Sequence, residues 1–290
     1  MRFVELGKTK EKIPVLGQGT WGIKSRKSKE YYEQWKKSLR RGIELGMTHI
    51  DTAEFYGHGE SEKIVGEVVK EYPRDSLFIT SKLFPMHLNK RTMIKAAEKS
   101  LKRLGLKNFD LYLIHWPSPL DSIKKQMDVM EEIYKQGKTR YIGVSNFSVE
   151  QFKEAQSYLK TTELVNNQLP ANITKPKHIH DSLPYYQENG IIMTAYSPLG
   201  HRGLSNLDDL IRGDLERVAK DHDATIHQIA IAWLLNHDNV ITIPKAFKLE
   251  HLEANAAAVD IKLTDEEIFL FYPKNQKFQK KEESHLFQEL

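Results

Sequence analysis

Short apolar runs of β-forming residues alternate with longer segments of helical period along almost the whole chain, and this alternation constrains the fold more than any other feature. The strand-like runs are His49-Ile50-Asp51, Leu77-Phe78-Ile79-Thr80-Ser81, Asp110-Leu111-Tyr112-Leu113-Ile114-His115, Tyr141-Ile142-Gly143-Val144, Leu164-Val165-Asn166, Ile191-Ile192-Met193-Thr194-Ala195 and Val240-Ile241-Thr242-Ile243. A first strand near Leu16-Gly17 brings the count to eight. Between them, segments such as 29–45, 61–71, 90–104, 122–136, 148–159 and 226–236 read as helices, several with Leu, Ile or Ala at i, i+3, i+4 and charges outside. Eight strand-plus-helix units in 290 residues suit a closed α/β barrel better than an open sheet. Phe3-Val4-Glu5-Leu6 and Ile13-Pro14-Val15-Leu16 predict a short β-hairpin ahead of it. No linker or internal repeat divides the chain, so one domain over residues 1–290 is expected.

Composition narrows the function classes. The 43 Lys and Arg against 39 Asp and Glu leave a net charge of +4, with the signs interspersed, which does not indicate a nucleic-acid binder. No run reaches the roughly 18 apolar residues of a membrane span, and the N-terminus carries no signal-peptide core, so a cytoplasmic enzyme with no membrane partner is expected. The absence of cysteine excludes disulfides, thiolate catalysis and Cys-ligated metals. His178-Ile179-His180 and His58 have no acidic third ligand in pattern with them and read as surface residues, so no metal is expected.

The chemistry gathers at strand ends. Asp51, Lys82, His115 and Ser145-Asn146 each fall at or just past the C-terminal end of a predicted strand, where barrel enzymes build their active sites. Taken singly, each has a plain explanation: Asp51 as a helix cap, Tyr56 as a loop aromatic, Lys82 as a solvated charge, His115 as a strand-end histidine. Together, Asp51-Thr52-Ala53-Glu54-Phe55-Tyr56-Gly57, Lys82 and His115 resemble the catalytic tetrad of the aldo-keto reductase family. Asp110 to Pro117 and Ile142-Gly143-Val144-Ser145-Asn146-Phe147 are similar to further signatures of that family, and the likeness covers residues 3–260. It implies a (β/α)8 TIM barrel that transfers hydride from NADPH to a small aldehyde, ketone or aldose. In that reading Tyr56 donates the proton, although a phenol's unperturbed pKa is about 10. Lys82 is expected to lower that value, Asp51 to hold Lys82 charged, and His115 to position the carbonyl oxygen.

Gly17-Gln18-Gly19-Thr20-Trp21-Gly22 carries the letters of a dinucleotide-binding glycine motif, but the charged run Lys24 to Lys27 separates it from the next helix, so that reading is rejected. The resemblance instead places Gly19, Thr20 and Trp21 at the nicotinamide end of the cofactor. It likewise implies that Ser145, Asn146 and Gln168 bind the carboxamide, that Tyr196 stacks on the nicotinamide ring, and that Ser197, Leu199 and Gly200 follow the cofactor outward. Ile243, Pro244, Lys245, Ala246, Phe247, His251 and Asn255 fall where the family takes up the adenosine 2′-phosphate. His251 stands where many NADPH-specific members carry Arg, and a neutral imidazole cannot make the bidentate guanidinium contact, so some use of NADH is expected beside NADPH. The loop from Gly200 through His201 and Arg202 to Leu204 lacks an acidic residue found over the pyrophosphate in some members, which suggests faster cofactor release.

By the same resemblance, Trp21, Phe55, Tyr56, Phe84, His115 and Trp116 line an apolar substrate pocket, and residues 272–290 form a variable tail. The expected partner is a small carbonyl compound, and the expected state a monomer or weak homo-oligomer. Two readings stay beside the reductase: an NAD(P)-dependent sugar or alcohol dehydrogenase working oxidatively, and a cofactor-binding regulatory module like the β-subunits of channels. A Schiff-base aldolase has only Lys82 in its favour.

Overall fold

The computed structural model describes residues 1–87, 89–200, 203–204 and 207–272. The chain opens with an antiparallel hairpin of β1 (Phe3–Glu5) and β2 (Lys12–Pro14), in register at Val4 and Ile13. The barrel follows as β3 (Gln18–Gly19), α1 (Lys29–Glu44), β4 (His49–Asp51), α2 (Glu60–Val69), β5 (Phe78–Leu83), α3 (Lys90–Leu104), β6 (Phe109–Ile114), α4 (Ile123–Lys135) and β7 (Thr139–Ser145). It continues through α5 (Val149–Tyr158), β8 (Leu164–Pro170), α6 (Lys177–Asp181), α7 (Leu183–Asn189), β9 (Ile192–Tyr196), α8 (Asp209–Asp221), α9 (Ile226–Leu235) and β10 (Val240–Thr242). Two helices, α10 (Leu249–Ala257) and α11 (Asp265–Leu270), complete the described chain. The expected α/β barrel with an N-terminal hairpin is therefore what forms. Among the described residues no helix is long and apolar enough to cross a membrane.

Eight parallel strands run in chain order from β3 to β10. The ends of this sheet meet: Leu16 bridges Thr242 in parallel, Gly17 N–H donates to Thr242 O at 2.8 Å, and Gly19 N–H donates to Pro244 O at 3.0 Å. The first strand thus lies a little later than its predicted place near Leu16-Gly17, because those two residues serve the seam with β10 while Gln18 and Gly19 pair with β4. The seam is tight. A Cβ on Gly19 would stand 2.4 Å from Ile243 O, closer than any side chain allows.

Helix ends follow local side-chain chemistry. Ser28, Asn89, Ser122, Ser148 and Thr225 each accept a hydrogen bond from a first-turn backbone N–H of α1, α3, α4, α5 and α9. Caps of this kind stabilise a helix by about 1 kcal/mol. At the N-terminal end of the barrel, Leu6 and Ile13 of the hairpin segment pack with Phe78, Leu111, Val165 and Ile241 and plug the interior. Asp110, almost fully buried there, accepts from the Ile79 N–H, Arg74 and Arg140, and Arg140 also pairs with Glu11 of the hairpin loop. A charge so placed is tolerated because every partner is present. The opposite end, free of such a plug, is the mouth where the strand termini converge.

Candidate active site

Asp51 ends β4, Lys82 lies near the end of β5, His115 follows β6, Ser145 ends β7 and Gln168 lies near the end of β8. Equivalent positions on successive strands bring all five to one mouth, across a cavity of about 470 Å³. Tyr56 enters from the loop after β4, which turns sharply through Gly57 at φ 56° and His58 at φ 55°. Only glycine fits at 57, since a Cβ there would lie 2.6 Å from Ile23 O.

Lys82 is fully buried and its Nζ donates to three oxygens: Asp51 Oδ1 at 2.5 Å, Thr52 O at 3.0 Å and Tyr56 OH at 3.2 Å. Asp51 is saturated in turn, its Oδ2 accepting from Gln168 Nε2 at 2.8 Å. The Tyr56 and His115 rings meet edge to face with centroids 5.6 Å apart. The Lys82 contact with the Thr52 carbonyl could not have been read from residue types, because any residue supplies that oxygen.

Burial, and then the Asp51 charge, push the Tyr56 phenol well above its ordinary value of 10.0. This corrects the expectation that Lys82 lowers it: the ammonium is already matched by the carboxylate 2.5 Å away, so little positive field is left for the phenol. Tyr56 consequently holds its proton at neutral pH. Burial also draws the Lys82 amine below its usual range, against the opposing charge and hydrogen bond of Asp51. Burial, with the nearby Lys82 charge, pushes His115 down to about 3, so its ring is neutral. Its Nδ1 is buried with no hydrogen-bond partner among the described residues. A buried N–H without an acceptor costs more than a bare ring nitrogen, which puts the ring proton on Nε2.

The rest of the cavity is lined by the aromatic residues Trp21, Phe55 and Trp116 together with Gly19, Ser145, Asn146, Tyr196, Ser197, Leu199, Gly200, Ile243, Pro244 and Lys245. Pro198 and Gly203 complete it and were not anticipated. Ser145 donates to Gln168 O at 2.8 Å, Asn146 Nδ2 to His115 O at 3.0 Å, and Tyr196 OH to Asn146 Oδ1 at 2.8 Å. Because the barrel closes, Lys245 after β10 sits beside Trp21 after β3, its Nζ 5.2 Å from the ring centroid.

Several expected residues lie outside the cavity wall. Thr20 is fully buried, donating to Asp51 O at 2.8 Å and accepting from Ser61 at 2.7 Å. Its hydroxyl is therefore consumed in bracing the β4 end. Phe84 stands behind the pocket, stacked on Phe55 at 5.0 Å and edge-on to Trp116 at 5.2 Å, so it supports the wall and does not form it. Ala246 and Asn255 are buried, Phe247 stacks on Tyr31, and His251 is exposed on α10 with Glu250 3.6 Å away. His201, Arg202 and tail residues 273–290, on which the loop and tail expectations fall, lie outside the described residues.

The sequence profile described as "Aldo/keto reductase family" matches residues 15–271. A methylglyoxal reductase of Escherichia coli is 34% identical over 256 residues, covering 88% of this chain and 89% of that protein. Among solved structures, a thermostable aldo-keto reductase crystallised with the inhibitor epalrestat is 43% identical, with a TM-score of 0.88 over 93% of this chain and 98% of that one. An aldo-keto reductase from Klebsiella pneumoniae in complex with NADPH is 33% identical, with a TM-score of 0.85 over 96% and 97% of the two chains. With a family profile spanning nearly the whole barrel, and relatives this similar in sequence and fold, the chain belongs to the aldo/keto reductase family of oxidoreductases.

Proposed function

We propose that this protein reduces small aldehydes and ketones to alcohols with NADPH, 2-oxoaldehydes of the methylglyoxal kind among them, and that Tyr56 supplies the proton. The observation that carries this reading is the buried Lys82 ammonium held between the Asp51 carboxylate and the Tyr56 hydroxyl, both of which line one cavity. The relative from Escherichia coli is named for methylglyoxal, and the Klebsiella pneumoniae structure holds NADPH, which supports the substrate class and the cofactor.

The donor set fits the nicotinamide end of such a cofactor. Ser145, Asn146 and Gln168 offer hydroxyl and amide groups suited to a carboxamide, and the Tyr196 ring offers a flat apolar face beside them. The bound cofactor supplies the hydride that the carbonyl carbon receives. On the protein side, the protonated Tyr56 hydroxyl delivers its proton to the carbonyl oxygen as negative charge builds there. Lys82 stabilises the phenolate left behind, and Asp51 keeps Lys82 charged and aimed. His115, neutral and carrying its proton on Nε2, donates a hydrogen bond to the same oxygen. General acid catalysis of this kind contributes about 10²- to 10⁴-fold.

The placement of His251 supports a modest preference for NADPH over NADH, because the Glu250 carboxylate beside it opposes a phosphate's charge. The test is loss of reduced-nicotinamide absorbance with NADPH and NADH in parallel, against methylglyoxal, aromatic aldehydes and aldoses. Turnover with NADPH is expected. Tight cofactor binding with no turnover in either direction would replace this reading with a cofactor-binding module.

A further inference from the structure

The loop that presents Tyr56 also carries Glu54, which the proposed chemistry does not use. Its side chain is only 13% exposed, and Oε1 accepts from two groups of the next loop: the Phe84 N–H at 2.6 Å and His87 Nε2 at 3.0 Å. One carboxylate oxygen therefore clips the segment after β4 to the segment after β5. The clip lies directly under the apolar wall. Phe55, one residue on from Glu54, has its ring 50% exposed at the mouth and parallel to Phe84, with an interplanar angle of 1°. Phe84 and Phe55 both stand edge-on to Trp116, at 5.2 and 5.9 Å. On its far side the β5 loop is tied to the β6 loop by Ser118 Oγ, which donates to Pro85 O at 2.8 Å.

Phe55 is held at the mouth by its face-to-face stack on Phe84 and by edge contacts with Trp116 and His115, and Phe84 is held at its backbone by Glu54. Hydrogen bonds to an ionised acceptor are the stronger kind, and the short Phe84 contact is one of these. Tyr56 is anchored separately through Lys82, so loosening the clip moves the wall without moving the proton donor.

We propose that Glu54 is a positioning residue for the substrate wall, and that through Phe84 and Phe55 it selects carbonyl compounds bearing flat apolar substituents over small ones. This rests on the reductase reading above. Methylglyoxal and phenylglyoxal isolate the effect, because they share the reacting 2-oxoaldehyde and differ only in the group that meets the wall.

The experiment measures kcat and KM for both compounds with NADPH in the wild type, Glu54→Ala and Glu54→Gln, with cofactor affinity followed by fluorescence titration. In Glu54→Ala the ratio of kcat/KM for phenylglyoxal to that for methylglyoxal falls about tenfold, mostly through KM, while kcat for methylglyoxal and cofactor affinity hold. Glu54→Gln keeps an oxygen acceptor for the Phe84 N–H and recovers most of the ratio. Should Glu54→Ala not fold, Glu54→Leu, which also removes the acceptor, takes its place, and Glu54→Leu, Phe84→Ala and the double variant Phe84→Ala/Glu54→Leu decide the matter: Glu54→Leu alone lowers the ratio, and with the ring gone the change at Glu54 leaves the ratio where Phe84→Ala put it. Wild-type turnover with an unchanged ratio in Glu54→Ala, or a further fall in the double variant, overturns this inference alone. No wild-type turnover overturns the reductase reading and takes the inference with it.

Discussion

Gln168 Nε2 donates to Asp51 Oδ2 at 2.8 Å, joining two residues 117 positions apart in the sequence. Asp51 thus has one oxygen on Lys82 and the other on a side chain of the proposed nicotinamide site, so the two halves of the mouth share a carboxylate. Gln168→Ala is expected to weaken NADPH binding and to slow turnover, each by about tenfold, through loss of one hydrogen bond to a charged group. Gln168→Glu puts a second carboxylate beside the first and is expected to be worse than alanine. Parallel fluorescence titrations and steady-state kinetics read both, and a Glu variant as active as the Ala variant would sink the coupling.

Tyr56→Phe removes a hydroxyl and keeps the ring. Turnover is expected to fall by about 10²- to 10⁴-fold while NADPH still binds. Near-normal turnover would remove Tyr56 from the role of proton donor.

Lys82→Met leaves the Asp51 carboxylate buried without its cation. Breaking a buried pair in this way destabilises by about 3–5 kcal/mol, whereas removing both charges is often close to neutral. The double variant Lys82→Met/Asp51→Asn is therefore expected to regain much of the stability lost by Lys82→Met and none of the activity. Urea unfolding curves beside the NADPH assay separate the two, and a double variant less stable than the single would count against the account of the pair.

His49 lies inside the barrel, 1% exposed, with Nε2 against Thr80 Oγ1 at 2.9 Å, and burial pushes it down to about 4. The unfolded chain binds a proton near 6.5 that the folded protein refuses until about 4, so stability falls as pH drops through that window and levels off below it. The shift corresponds to a contribution of about 3 kcal/mol across the window. His49→Gln is expected to lose less stability than the wild type between pH 7 and 4.5. Equal acid slopes in denaturant titrations at several pH values would refute the assignment.

Strand count, hairpin and strand-end placement were legible because period and composition report them directly. Asp51, Lys82 and His115 could be put at one mouth because each follows or ends a strand of one parallel barrel. What the sequence hid was whatever depends on how loops fold over one another. The family resemblance makes Phe84 a pocket residue, yet its ring is stacked against Phe55 and is not part of the cavity lining. Thr20 sits in a motif of the mouth, yet its hydroxyl is spent on Asp51 O and Ser61. The direction of the Tyr56 shift depended on burial and on how completely Asp51 neutralises Lys82, and neither is a property of spacing.

The seam between Leu16 and Thr242 also has a consequence for how the chain is made. The partner of the first strand is the last strand, so until residues 240–244 leave the ribosome the growing protein is an arc with two bare rims, one beside Gln18 and Gly19 and the other along β9. Unpaired rims of this kind invite pairing with other chains. A nascent chain stalled before those residues emerge would therefore be sticky where the finished ring has no rim to offer.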